Sequence, residues 1–307
     1  MHARRDRAPG AGLGSDSVKP DPIRSDAARA SRALRLRARR DVSTSLTGAY
    51  RSAFRGQGLT FEELRDYAPG DDVRWLEWNA TARLGRPIVK RMREERDLVV
   101  ALLVDLSPSL EFGFAGETKL EAVRRAAAAL AAAATAAQDR VALAVFSDGL
   151  VQALPPGTGR AALERIFRAL ATPGSGSGSG TDAAPALGWA AERLPRNSLV
   201  ALISDFLFAD PGAVLRRCAI KHDLIALRVR DPADQTDRRL PPVRVRDAEV
   251  RRTRLWRSGR DPDALLEAAL PEAVLRSIGA DCATLDSGTR LLPGLLRFFE
   301  ERARRRS

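Results

Sequence analysis

Apolar and polar positions alternate in long blocks from residue 98 onward. Residues 98–104 are seven consecutive apolar residues that stop at Asp105. An uninterrupted apolar strand of this kind is typical of a parallel sheet that is buried on both faces. Apolar runs at 141–146 and 199–203, and the stretch 224–229, which is apolar except for Arg228, predict three more core strands.

The segments between these runs have helical patterns or weaker strand patterns. Helices are predicted over 117–137, 160–170, 182–194, 211–219, 262–278 and 291–305. Further strands are predicted over 151–154 and 282–285, with an exposed β excursion over 243–256. Repeated β-α units of this kind lead us to expect an α/β fold. Its doubly wound, mostly parallel sheet should have about six strands and helices on both faces.

The first 96 residues differ from this pattern. Residues 1–25 are rich in Gly, Pro, Ser and Asp, which indicates disorder, and residues 25–40 favour a helix. The next stretch is dense in aromatic residues, which suggests a packed unit. These aromatic residues are Phe54, Phe61, Tyr67, Trp75 and Trp78.

We therefore expect three segments along the chain. Residues 1–40 form a basic, largely disordered arm that can contain a helix. Residues 41–96 form a smaller N-terminal segment that packs on the main domain, because aromatic side chains need burial to offset the entropy lost on ordering. Residues 97–307 form the main α/β domain.

The net charge of +12 is concentrated at the two ends of the chain. Residues 1–40 hold 11 basic and 4 acidic residues, and residues 301–307 hold 4 arginines and 1 glutamate. The 260 residues between them carry 36 basic and 34 acidic groups. Basic ends can contact phosphate backbones, but no aromatic residues are interleaved for base stacking. We expect solvated tails, and nucleic-acid binding through the basic arms stays an alternative.

Neither a membrane span nor a disulfide framework is expected. The sequence has no apolar run of about 18 residues, the length a spanning helix needs. Cys218 and Cys282 are too few for a four-ligand zinc site, and they lie in apolar segments as buried thiols do. No apolar stretch follows the basic N-terminus, so no signal peptide is expected. We expect a cytoplasmic protein.

Oxygen-bearing side chains follow the predicted core strands. Asp105, Ser107 and Ser109 form a D-x-S-x-S sequence after the first strand, and Asp205 follows the third. Thr181 stands before a helix, at the end of a Gly-Ser loop. Strands of a parallel sheet present their carboxyl ends at one edge. Two carboxylates and three hydroxyls are hard ligands that suit Mg²⁺ or Mn²⁺, so we predict a metal site made of these residues.

The same residues also have ordinary structural explanations. Asp105 and Ser107 fit a turn, Thr181 fits a helix N-cap, and Asp205 fits a turn at a strand end. Their joint position at one sheet edge favours the metal site. A phosphoryl-transfer or hydrolytic enzyme with Asp105 as nucleophile is a further alternative. Ser107 stands where a general acid–base residue would be needed, and no Walker motif is present, so we expect no enzymatic activity.

Five stretches of the sequence carry resemblances to two known families. VVALLVDLSPSL, DRVALAVFSDG, GTDAAPAL and VALISDF resemble the ordered landmarks of von Willebrand factor A-type domains. That family's metal-ion-dependent adhesion site maps onto Asp105, Ser107, Ser109, Thr181 and Asp205. The segment FRGQGLTFEELRDYAPGDDVRWLEWNATARLGRPIVKR resembles the signature of the bacterial family called domain of unknown function 58.

These resemblances imply a protein that binds other proteins. Members of the second family often accompany AAA+ ATPases of the MoxR type and are thought to help assemble or activate other proteins. The partner expected here is therefore a MoxR-type ATPase, its client, or both. The metal, held by two carboxylates, would keep an open position for an acidic side chain of that partner.

Overall fold

The computed structural model describes most of the chain. The described residues are 22–41, 44–54, 59–94, 98–111, 113, 116–172, 180–231, 243–246, 253–256 and 270–306. Outside this set lie residues 1–21 of the stretch 1–25 predicted to be disordered, residues 174–179 of the Gly-Ser loop, and the first part of the helix predicted over 262–278. Residues 22–25 lie in a helix, so the prediction of disorder is wrong there.

Ten strands and nine helices are present in the described part of the chain. The strands are β1 (Leu59–Asp66), β2 (Ile88–Glu94), β3 (Val99–Asp105), β4 (Arg140–Phe146), β5 (Leu150–Gly157), β6 (Leu199–Ser204), β7 (Asp223–Arg230), β8 (Val243–Arg246), β9 (Thr253–Trp256) and β10 (Asp281–Asp286). The helices are α1 (Pro22–Asp41), α2 (Thr44–Ala53), α3 (Trp78–Leu84), α4 (Lys119–Ala136), α5 (Gly159–Ala171), α6 (Ala184–Arg193), α7 (Ala213–Lys221), α8 (Glu272–Ser277) and α9 (Leu291–Arg306).

A six-stranded sheet in the order β10-β7-β6-β3-β4-β5 forms the centre of the molecule. All neighbouring strands are parallel except β5, which runs antiparallel to β4. Strand β3 lies in the middle, and all seven of its residues are buried. The predicted doubly wound, mostly parallel α/β sheet is confirmed.

Alternate residues of the central strands point into two separate apolar cores. Val100, Leu102 and Val104 of β3 join the core that contains α1, α2, α4, α5 and α9. Val99, Ala101 and Leu103 join the core that contains α6, α7 and α8. Helices therefore cover both faces of the sheet, as the uninterrupted apolar pattern of β3 requires.

Strand β5 is longer than its sequence suggests. The sequence predicts this strand over 151–154, directly before prolines at 155 and 156, but pairing with β4 continues to Gly157, which lies opposite Val141. The register of this pair shifts at two places. Proline is tolerated at the edge of a sheet, where the missing N–H would face away from the neighbouring strand.

Helix α4 is built mainly from alanine and is the most buried helix of its core. Thr118 caps its start, because its hydroxyl accepts from Glu121 N while the Glu121 carboxylate accepts from Thr118 N. This reciprocal capping box satisfies two donors that the first turn would leave without partners. The small side chains let α1, α2, α5 and α9 all contact α4.

The N-terminal segment divides into two parts that behave differently. Helix α1 packs against α4 and α5, and α2 packs against α9 and α4. Strands β1 and β2 form an antiparallel hairpin whose principal contacts are with each other. Near it, the Trp75 and Trp78 side chains are 38% and 70% exposed, whereas Phe54, after α2, is buried.

Two further strands pair with each other outside the six-stranded sheet. The β excursion expected over 243–256 is found as the short antiparallel pair β8 and β9. No helix among the described residues has both the length and the apolar character needed to cross a membrane.

Candidate metal centre

Two aspartates meet at the carboxyl edge of the sheet because their strands are parallel neighbours. Val104 of β3 lies opposite Ile203 of β6. Asp105 therefore ends β3 beside the point where Asp205 follows β6. Asp105 is fully buried, and Asp205 is 7% exposed.

Both oxygens of the Asp105 carboxylate accept hydrogen bonds. Ser107 N donates to Oδ1 at 2.8 Å, and Ser204 Oγ donates to Oδ2 at 2.6 Å. Burial, and then the negative charge of Asp205, raise the pKa of Asp105 to about 7. The hydrogen bonds from Ser204 and Ser107 act in the opposite direction. This carboxylate is thus held in a place where a positive charge would stabilise its ionised form.

The two serines of the D-x-S-x-S sequence lie close together. Their hydroxyl oxygens are 2.9 Å apart, so one hydroxyl donates to the other. Ser107 is buried, and a 3₁₀ turn from Pro108 to Glu111 begins directly after it. The structure brings Asp105, Ser107 and Ser109 into one hydrogen-bonded group, as the sequence predicts.

The loop that carries Thr181 approaches the same edge through the end of β4. Asp182 N donates to Ser147 O at 2.7 Å, and Ser147 follows directly after β4. The Asp182 carboxylate accepts from the backbone N of Ala184, the first residue of α6. Because β4 is the other parallel neighbour of β3, this link holds the Thr181 loop on the strand beside Asp105.

Two hydroxyls at this edge are buried and have no hydrogen-bond partner within the described residues. They are Thr181 Oγ1 and Ser147 Oγ. A buried hydroxyl without a partner is costly, so it indicates a group that the protein itself does not supply. The oxygen donors at this edge therefore fit a hard divalent cation. No cluster of three or more His, Cys, Asp or Glu side chains that could hold a metal occurs within the described residues.

A lysine also lies inside this group. Lys119 begins α4, is 5% exposed, and donates from Nζ to Asp205 Oδ2 at 2.9 Å. The other Asp205 oxygen accepts from Leu207 N at 3.1 Å. Of the five predicted ligands, Asp205 is thus already paired with a cation. The Thr181 hydroxyl has no hydrogen-bond partner within the described residues, and only the neighbouring Asp182 N is bonded to the end of β4.

Sequence reasoning missed three members of this site. Ser204 gave no signal because it looks like the last residue of an apolar strand. Ser147 was not among the predicted ligands, although it directly follows the strand next to β3. Lys119 looked like an ordinary helix residue, since its burial depends on the loop after β6, which is 86 positions away in the sequence.

Comparisons with known proteins agree with the sequence resemblance. The family described as "Protein of unknown function DUF58" matches residues 63–261. Uncharacterised proteins of Mycobacterium tuberculosis and Mycobacterium bovis are 32% identical to the chain over 289 residues, 90% of this chain and 90% of each relative.

Two solved structures have weaker similarity. BatB from Bacteroides thetaiotaomicron has a TM-score of 0.45 and 14% identity, over 67% of this chain and 99% of that chain. An aerotolerance-related membrane protein from Bacteroides fragilis has a TM-score of 0.44 and 15% identity, over 66% of this chain and 99% of that chain. Neither similarity adds to the fold, which the strand order already defines. From the family match and the mycobacterial relatives, the chain belongs to the DUF58 family.

Proposed function

We propose that this protein binds a protein partner through a divalent cation, Mg²⁺ or Mn²⁺, held at the carboxyl edge of the sheet. The ligands would be Asp105, Ser107, Ser109, Thr181 and Asp205. The partner would be a MoxR-type AAA+ ATPase, its client, or both, and the role would be to assemble or activate other proteins.

One observation carries this proposal. A fully buried carboxylate, Asp105, lies beside a second one, Asp205, next to buried hydroxyls without partners. Lys119 offsets part of the repulsion between the two buried carboxylates, and a divalent ion would offset the rest. The hydroxyl of Thr181 has the chemistry to take part in binding that charge.

A bound divalent ion would supply positive charge and an open coordination position for a carboxylate oxygen of the partner. The protein's own contribution is to hold the ligands rigid. Ser204 and Ser107 fix both oxygens of Asp105, and the β4 end fixes the Thr181 loop. Ligands on strand ends are positioned more firmly than ligands on free loops.

The same geometry argues against a covalent role for Asp105. A nucleophilic carboxylate must reach the substrate, and Asp105 has no exposed surface. Both of its oxygens already accept hydrogen bonds. We therefore propose a binding protein without enzymatic activity. A phosphatase and nucleotidase screen with Mg²⁺ tests this, since activity lost specifically in Asp105→Asn would establish an enzyme.

The direct test measures affinity for a MoxR-type ATPase purified from the same bacterium. We expect binding in Mg²⁺, loss of binding in EDTA, and loss in Asp105→Asn. Asp210→Asn is the matched control, because Asp210 is an exposed acid on the loop after Asp205. If the wild-type affinity were the same in Mg²⁺ and EDTA, a bridging metal would be ruled out.

A second variant tests the metal shell without touching a charge. Thr181→Ala removes a buried hydroxyl that forms no hydrogen bond within the described residues, so the free energy of unfolding should stay the same or rise, not fall. Partner affinity in Mg²⁺ should nevertheless fall. Unchanged affinity in this variant would remove Thr181 from the ligand set.

A further inference from the structure

Lys119 is a buried cation in a position that helix stability does not explain. Its side chain is 6% exposed, and lysines are almost never this buried without a charged partner. It is the first residue of α4, where the helix dipole is positive and a lysine is unfavourable. The capping box of Thr118 and Glu121 already satisfies this helix end.

The ammonium group is directed into the candidate metal centre. Nζ lies 2.9 Å from Asp205 Oδ2, and both side chains of the pair are 6% exposed. Because the pair is shielded from water, salt screens its attraction only weakly. Leu207 N takes the second oxygen of Asp205, so both oxygens of that carboxylate are engaged by the chain itself.

We propose that Lys119 is a built-in counter-cation of this centre, which competes with the divalent ion for Asp205. This inference rests on the metal-binding function proposed above and concerns how that site is regulated. With Lys119 in place, the fold offsets part of the repulsion between Asp105 and Asp205 without metal. An incoming divalent ion must then either displace the ammonium from Asp205 or bind beside it.

The consequence is weak metal affinity in the resting protein. Asp105 and Asp205 are two carboxylates with a formal charge of −2 together, and the ammonium group of Lys119 cancels one of these charges. The net charge that attracts a divalent ion is therefore −1 with Lys119 in place, and it would be −2 if the lysine were absent. Charge count is a main determinant of affinity at oxygen-ligand sites, so Lys119 should lower the affinity.

The experiment titrates Mn²⁺ alone into the full chain, by calorimetry and by the electron paramagnetic resonance signal of free Mn²⁺. Lys119→Met keeps the length and apolar stem of the side chain and removes the charge. We expect this variant to bind Mn²⁺ about tenfold tighter than wild type or more, because one like charge has left a buried site. Lys221→Met is the control, since Lys221 donates to the backbone of Ala191 and Leu194 at the other end of the sheet.

Thermal unfolding gives a second readout that does not depend on a partner. Without metal, Lys119→Met leaves Asp205 without its cation, so the melting temperature should fall below that of wild type. Added Mn²⁺ should raise the melting temperature of Lys119→Met more than that of wild type. If this variant does not fold, Lys119→Gln, which keeps a hydrogen-bond donor but no charge, takes its place in both measurements.

The outcomes separate this inference from the proposed function. Equal Mn²⁺ affinity in wild type and Lys119→Met, with binding lost in Asp105→Asn, would overturn the role of Lys119 and leave the metal site intact. Tighter binding in Lys119→Met, with wild-type partner affinity indifferent to EDTA, would support Lys119 and overturn the metal bridge. Absence of Mn²⁺ binding in both proteins would overturn both.

Discussion

Arg302 is a buried cation whose guanidinium is paired with two carboxylates. Its side chain is 1% exposed, and its guanidinium contacts both Asp223 and Asp281. The same guanidinium lies over the ring of Phe54, 4.9 Å from the ring centre. One arginine on α9 thus joins the start of β7, the start of β10 and the end of α2. Its planar, multiply donating group suits this role in a way that lysine would not.

The first prediction concerns this arginine. Arg302→Met removes the cation that Asp223 and Asp281 share, while Arg306 and Arg305 still pair with these carboxylates, so the free energy of unfolding should fall by about 2 kcal/mol. Arg305→Met is the control, because Arg305 also reaches Asp281 but is 54% exposed, and its loss should change stability by less than about 1 kcal/mol. Urea denaturation of the two variants checks this. Similar losses in both would mean that burial does not set the strength of these pairs.

At the residue scale, the sequence predicted the part of the candidate site that depends on local order. An apolar run that ends at Asp105, with serines at alternate positions, is visible in one stretch of chain. The contributions of Ser204 and Lys119 are not, because each arises when a distant strand or helix is brought beside β3 or β6. The positions of Ser204 and Lys119 in the sequence do not indicate that their side chains contact Asp105 and Asp205, because these contacts join residues 99 and 86 positions apart.

At the element scale, the helices α1 and α2 and the β1–β2 hairpin use their apolar residues differently. Helix α2 buries Leu46 and Tyr50, and the Tyr50 hydroxyl donates to Asp139 at 2.6 Å. The hairpin region instead exposes Val73, Trp75 and Trp78. The aromatic content of residues 41–96 therefore predicted burial correctly for α2 and wrongly for the hairpin region. Composition alone does not show whether another element of the fold lies close enough to cover an aromatic side chain.

The second prediction follows from this contrast. Trp78→Ala should change the free energy of unfolding by less than about 0.5 kcal/mol, since the side chain is 70% exposed. Phe54→Ala should cost about 3–5 kcal/mol, because its buried ring packs on Tyr50 and Phe299 at centroid distances of 5.0 and 5.2 Å. Guanidinium denaturation of both variants tests the pair. A loss for Trp78→Ala as large as for Phe54→Ala would place the tryptophan in the core.

The sequence predicted the elements of the sheet better than it predicted the first 96 residues. Strands β3, β4, β6 and β7 are marked by apolar runs that both cores require. Helix α2 and the β1–β2 hairpin lack such runs. The hairpin is held by the pairing of its two strands, and α2 is held by its contact with α9. At β5, the edge position overrode the usual effect of two prolines. In these three places, contacts with distant parts of the chain determined the secondary structure, and the local sequence preference did not.

At the scale of the whole molecule, the excess positive charge is partly engaged within the fold. Arg305 pairs with Asp281, and Arg306 pairs with Asp223, so the basic C-terminal helix turn is held against the starts of two strands. On the N-terminal side, Arg35 of α1 pairs with Glu164 of α5. These ion pairs give the basic ends a structural use that does not require nucleic acid. They also tie the N-terminal helices and α9 to the sheet domain.

The last prediction tests whether the N-terminal helices belong to one folding unit with the sheet. Removing residues 1–40 would expose the surface of α4 and α5 that Leu34 and Ala38 bury. Removing residues 1–96 would also expose Phe299 and remove the hydrogen bond from Tyr50 to Asp139. A buried large apolar side chain contributes about 1.5–3 kcal/mol, so the chain 97–307 should be less stable than 41–307 by several such contributions. It should also aggregate more readily, because α9 would present an apolar face to water. Equilibrium denaturation and light scattering of the full chain, 41–307 and 97–307 measure these effects. If 97–307 were as stable and as soluble as 41–307, α2 would be an attachment to the sheet domain and not part of its core, and if 41–307 matched the full chain, the same would hold for α1.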